Sequence, residues 1–122
     1  MSTISFSCPA SSANVPAAFS VQGSYSADGA PSVQVKCKVV YYDTNLAVAS
    51  QCKVCVLGAD GSSWCCKFDL SGDLPSGGGT LVLGCRLYDG SGNPLTSPAT
   101  ETVTYQANQT DPCSCSGAGN PC

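Results

Sequence analysis

QCKVCVLGADGSSWCCKFDL, residues 51–70, decides how this chain folds. Asp60-Gly61 lies between two β-prone runs, and Asp-Gly in that setting is the strongest short-range hairpin signal, because both central positions of a tight turn need positive φ. With a two-residue turn there, Ala59 faces Ser62, and counting outward sets Cys55 opposite Cys66. Facing residues on paired strands lie close enough for a disulfide. On the second strand the period of two places Trp64, Cys66, Phe68 and Leu70 on one face and Cys65, Lys67 and Asp69 on the other. The first face reads as core and the second as solvent. The adjacent cysteines therefore need different partners: Cys66 within the core, Cys65 in the C-terminal tail or a neighbouring molecule.

Working outward, the same alternation recurs. Thr3–Cys8 puts Ile4, Phe6 and Cys8 on one face before Pro9, and residues 17–25 do so with Phe19, Val21, Gly23 and Tyr25. Residues 32–42 alternate Val33, Val35, Cys37, Val39 and Tyr41 with Gln34, Lys36 and Lys38. Turns are expected at residues 27–31 and 43–45, after which residues 46–57 lead into the hairpin. A glycine-rich loop at 71–79 precedes a strand at 80–88, with Leu81, Leu83, Cys85 and Leu87 inward. A turn at 89–94 and a last strand at 100–106 follow. No window carries a sustained 3.6-residue apolar period. About seven short strands with turns every 8–12 residues predict an all-β, antiparallel, immunoglobulin-like sandwich over residues 1–107. Residues 108–122 (NQTDPCSCSGAGNPC) have no large apolar residue and read as a flexible Cys-rich tail, fixed only by covalent links or by lying on something else.

Composition bounds the function. Charged residues make up 11% of the 122, far below the ~25% of an ordinary domain. A net charge of −3, with Lys36, Lys38, Lys53, Lys67 and Arg86 forming no run, argues against a nucleic-acid binder. MSTISFSCPA has neither the basic nor the apolar region of a signal peptide, and no segment is apolar enough to cross a membrane. Ten cysteines imply an oxidising environment, hence an extracellular, cell-surface or particle-surface chain. It reads either as a mature segment or as a chain oxidised after release.

Residues 15–23 (VPAAFSVQG), 87–93 (LYDGSGN) and 100–105 (TETVTY) carry a resemblance. Residues 3–106 resemble a bacterial immunoglobulin-like domain of the kind found in tandem on surface proteins. The resemblance implies the sandwich fold and an adhesive or spacer role. The cysteines depart from that family, which carries few.

The candidate site residues are the ten cysteines, Cys8, Cys37, Cys52, Cys55, Cys65, Cys66, Cys85, Cys113, Cys115 and Cys122, all read as disulfide formers. Cys37, Cys66 and Cys85 face the core on three strands, so a pair among them could staple the sandwich. Cys65, Cys113, Cys115 and Cys122 are candidates for links between chains. An all-cysteine metal site is disfavoured: there is no histidine, and Cys52 and Cys55, three apart in a strand, point to opposite faces. A redox C-x-x-C needs a helix N-terminus, and hydrolytic or acid–base chemistry needs a base that a histidine-free chain with turn aspartates does not offer. The oxygens of residues 89–93 start like a calcium loop but lack its closing Glu, so a turn is expected. We therefore expect no enzyme activity, no cofactor, no nucleic acid and no membrane insertion. The expected function is a structural subunit of a disulfide-hardened extracellular fibre, appendage or coat, self-assembling through strand edges and the tail. The alternative is a binding or spacer module of a larger cell-surface protein.

Overall fold

The computed structural model describes residues 1–29, 32–43, 46–72, 74, 78–115 and 117–122. The expected turns at Ala30-Pro31 and Thr44-Asn45, and Asp73 with residues 75–77 of the glycine-rich loop, lie outside them. Among the described residues, seven strands have six residues or more: β1 (Thr3–Cys8), β3 (Ala18–Ser26), β4 (Val33–Asp43), β5 (Leu46–Val54), β7 (Ser63–Asp69), β8 (Gly79–Asp89) and β9 (Ala99–Tyr105). Three two-residue strands accompany them: β2 (Asn14–Val15), β6 (Val56–Leu57) and β10 (Asn120–Pro121). They form two sheets, of order β1-β3-β7-β6 and β10-β5-β4-β8-β9-β2. Every pairing is antiparallel except the short β2–β9 contact. The molecule is an all-β sandwich.

The alternating residues expected inside are inside. Val35, Cys37, Val39 and Tyr41 of β4 and Leu81, Leu83, Cys85 and Leu87 of β8 face Phe19, Val21 and Tyr25 of β3 and Trp64, Cys66 and Phe68 of β7 across one buried core. Trp64 is its largest member, with Phe6 edge-on at 5.7 Å between ring centroids and its indole N–H donating to the Ser24 carbonyl at 3.3 Å. Gly23, the register partner of Trp64, makes room for it: a Cβ there would overlap both the indole and the Ser5 carbonyl oxygen.

The central hairpin keeps its expected register by a different turn. Val56 faces Cys65, Leu57 faces Trp64, and Gly58 N–H donates to Ser63 O at 2.8 Å, so the count from Ala59–Ser62 holds. Gly61 has φ 72°, but Asp60 does not take the left-handed conformation that a two-residue turn would need. Instead the Asp60 carboxylate accepts from the Ser62 and Ser63 N–H groups and the Ser63 hydroxyl, closing a wider loop. Those donors hold its pKa below the ordinary value.

The larger correction lies at Cys55. Residues 46–57 are not one strand. The chain leaves the six-stranded sheet after Val54 and enters the four-stranded sheet at Val56, with Cys55 between. The Cys55 N–H donates to Val35 O of β4 at 2.7 Å, so one residue bonds to one sheet while its neighbour joins the other. Alternation alone cannot reveal such a switch, because the residues on both sides keep the same period.

Candidate functional site

The cysteines divide by position into a peripheral set and a core set. Each peripheral bridge joins the tail to a different strand: Cys113 to Cys8 of β1, Cys115 to Cys65 of β7, and Cys122 to Cys52 of β5. Cys65 does face out from β7, and its partner is the tail. The four cysteines read as candidates for links between chains are therefore each closed within the chain or, for Cys65, by the tail of the same chain. The reason is geometric: the tail lies along the sandwich, within reach of three strands, rather than projecting from it.

Local contacts hold that path. Ser20 is a buried polar residue of β3, beyond the last residue that β1 covers, at Gln22. Its N–H and its hydroxyl both donate to the Asp111 carboxylate, at 2.9 and 2.7 Å. Asp111 thus supplies the partner that the shorter strand cannot. Further on, Gly119 takes φ 71° close under Val54 O, where a Cβ would stand 2.7 Å from that oxygen. β10 then pairs with Lys53 and Val54, and Cys122 N–H donates to Cys52 O at 3.2 Å. The tail passes over β3, β1, β7 and β6 of one sheet and ends on the edge of the other. Asp111→Ala should leave the buried Ser20 donors without a partner and cost about 1–3 kcal/mol. Denaturant unfolding of the variant with its disulfides intact measures this, and an unchanged midpoint would refute it.

The core set is Cys37, Cys55, Cys66 and Cys85, all buried and all thiols. Cys37 and Cys85 are register partners on β4 and β8, while Cys66 approaches from β7 and Cys55 from the switch between sheets. The thiols of Cys37 and Cys55 both reach that of Cys66, which makes Cys66 the most acidic of the four. Donation to Cys66, reinforced by burial, raises the pKa of Cys37 and of Cys55. Burial, then the charge of Cys66 and of Glu101, pushes Cys85 up to about 12. Among the described residues, no group of three or more His, Cys, Asp or Glu is arranged to hold a metal ion. The Asp89 carboxylate is taken up by its own loop: it accepts from the Ser91 and Asn93 N–H groups at 2.9 Å.

Two polar features escaped the sequence reading. Glu101 shares a register position with the buried Leu83, and its Oε1 is buried without a partner among the described residues. Burial raises its pKa. Such a group supports the fold fully below its ordinary pKa of about 4, and that support is lost as pH rises through the elevated folded value. Glu101→Gln should therefore raise the melting temperature at pH 7, with the gain shrinking below pH 4. Paired thermal scans across that range check it, and a gain independent of pH would contradict it. The second feature is a gathering of cations. Lys36 and Arg86 face each other on β4 and β8, Lys38 faces Gly84, and the Lys36 ammonium stands 4.8 Å from the Tyr88 ring centroid. Three of the five basic residues thus meet around a shallow hollow of about 290 Å³ beside Gly84. They form no run in the sequence, and only the strand register brings them together.

An all-β sandwich carrying a covalently pinned tail is the class these observations define. No protein-family model matches the sequence, and no curated protein matches it significantly. Among solved structures, the fold is similar to CopC from Methylosinus trichosporium OB3b, with a TM-score of 0.54 over 89% of this chain and 97% of that one. Identity is 13%, so the likeness concerns the fold. No helix among the described residues is long and apolar enough to cross a membrane.

Proposed function

We propose that this chain is a structural module of an extracellular or particle surface: a disulfide-hardened subunit of a fibre, appendage or coat, built like the bacterial immunoglobulin-like domains it resembles. The observation that carries the reading is the pinning of the tail at three separate strands. Bridges of this kind persist in oxidising surroundings and favour durability. They also move the expected mode of assembly. With the tail cysteines closed inside the chain, subunits join by strand edges rather than by sulfur. β1 ends its sheet, and β10 covers only Lys53 and Val54 of β5, so both sheets keep an edge that can accept a neighbour's strand. The test is sedimentation and electron microscopy of the oxidised chain at high concentration. Multimers that resist reduction but dissociate in denaturant are expected, and a strict monomer would overturn the reading.

The cation hollow favours one second reading, a binding module for an acidic polysaccharide. Lys36, Lys38 and Arg86 supply charge and Tyr88 an apolar ring face for a sugar. Calorimetry with a uronic-acid polymer distinguishes it: binding lost in Lys36→Ala and weakened by salt supports this reading, and no heat sinks it.

A further inference from the structure

The three tail bridges use six cysteines and leave four thiols buried in the core of a chain that is otherwise oxidised. Two of the four, Cys37 and Cys85, are register partners on neighbouring strands of one sheet. Facing residues of an antiparallel pair are of two kinds. Some exchange backbone hydrogen bonds, with Cα atoms about 5.5 Å apart, and others do not, with Cα atoms about 4.5 Å apart and side chains closer. The bonds around Cys37 and Cys85 assign them to the second kind. Val35 O accepts from Cys55 N–H at 2.7 Å on the β5 side of β4, so the polar backbone groups of Val35, and of Cys37 two residues on, turn away from β8. On β8, Leu87 O accepts from Leu95 N–H at 2.8 Å, and Leu87 N–H donates to Thr96 Oγ1 at 3.3 Å. Both partners lie in the segment leading into β9, so Leu87, and Cys85 two residues back, turn away from β4.

We propose that Cys37 and Cys85 form a fourth disulfide, a rung between β4 and β8 inside the six-stranded sheet. A disulfide spans Cα atoms about 4.4–6.8 Å apart and Cβ atoms about 3.5–4.5 Å apart. Facing Cβ atoms stand about 4.5–5.5 Å apart, and the shorter value belongs to pairs without backbone bonds, which brings this pair within range. Cys37 is 0% and Cys85 1% exposed, and both point into the core between the apolar pairs Val35–Leu87 and Val39–Leu83. The Cys37 thiol also reaches Cys66, but Cys66 belongs to the other sheet, and packed sheets stand about 10 Å apart. Counting one residue out from Val56–Cys65 sets Cys55 beside Cys66, so Cys66 has a neighbour of its own. No strand pairing among the described residues holds Cys66 to Cys37, whereas an unbroken register from Val33–Asp89 to Tyr42–Thr80 holds Cys85 there. The oxidant is a small-molecule disulfide, RSSR, acting by thiol–disulfide exchange. One thiolate of the pair attacks a sulfur of RSSR, whose S–S bond breaks and releases RS⁻. The other thiolate then attacks the protein sulfur of the mixed disulfide and expels the second RS⁻. The protons of Cys37 and Cys85 leave on two RSH, and RSSR takes up the two electrons. Exchange takes place during folding, before the core closes over both residues.

The test is made on the whole wild-type chain. Fully reduced protein is refolded in a mixture of reduced and oxidised glutathione, quenched in acid, unfolded, alkylated and digested with trypsin without reduction. Cys85 is the one cysteine between Lys67 and Arg86, so the peptide of residues 68–86 reports its partner directly. The expected result is that peptide linked to the one containing Cys37, with neither cysteine alkylated. An alkylated, unlinked 68–86 peptide from the folded product overturns the proposal, and so does its linkage to the peptide containing Cys55 and Cys66. Purified chain that retains stoichiometric zinc on unoxidised core thiols would overturn it as well. None of these outcomes bears on assembly, so the function proposed above stands or falls separately.

Discussion

Cys8→Ala/Cys113→Ala should lower the unfolding free energy by about 2–5 kcal/mol, a large share of the roughly 5–15 kcal/mol that holds a domain folded. The bridge ties residues 105 apart, and the Cys65–Cys115 bridge ties residues 50 apart. Loop-closure entropy grows only logarithmically, by about 0.6 kcal/mol per doubling, so the two double variants should differ little on that ground. The three losses will not add, because each closed loop shortens the effective loop of the others. Guanidinium unfolding without reductant, comparing midpoint and slope, is the measurement. A cost below about 1 kcal/mol would mean that the tail does not restrain the unfolded chain as a cross-link of this span should.

Trp64→Ala carries the other large effect. Trp64 is 1% exposed and wedged between Phe6 and the bare backbone of Gly23. Truncating a buried tryptophan costs about 3–5 kcal/mol, the lost transfer energy plus the cavity. The cavity opens directly beneath β1, which has a neighbour on one side only. Amide exchange in Thr3–Cys8 should therefore accelerate more than exchange in β4 or β8, which lie inside the larger sheet. Uniform acceleration would show that Trp64 supports the domain as a whole rather than that edge.

Most of the architecture was legible because both sheets bury one face and expose the other. Val33 to Tyr41, Leu81 to Leu87 and Trp64 to Leu70 each show the period that half-burial requires. What the pattern could not carry were the places where the chain changes partner. Cys55 moves between sheets without breaking the alternation. Asn14–Val15 pairs with β9 over two residues, too short for any period to register. The tail contains nothing that burial could hold, and it is ordered by sulfur and by Asp111 instead. Its three cysteines announced covalent links, and Cys65 was visible as an outward partner. The choice among Cys8, Cys52 and Cys65 depended on a path across strands that spacing does not encode. The convergence of Lys36, Lys38 and Arg86 was hidden for the same reason, since register, not sequence proximity, made them neighbours.

Every peripheral bridge has one end in Cys113, Cys115 or Cys122. During synthesis, Cys8, Cys52 and Cys65 must therefore wait until all the long strands and then residues 113–122 have left the ribosome before their partners exist. The sandwich has to find its topology by non-covalent means, and residues 113–122 then seal what has already formed. A chain that misfolds early presents its cysteines to the wrong partners, or to none, when those residues arrive. Oxidation thus works as a late checkpoint: only molecules whose strands are correctly arranged gain the full set of links.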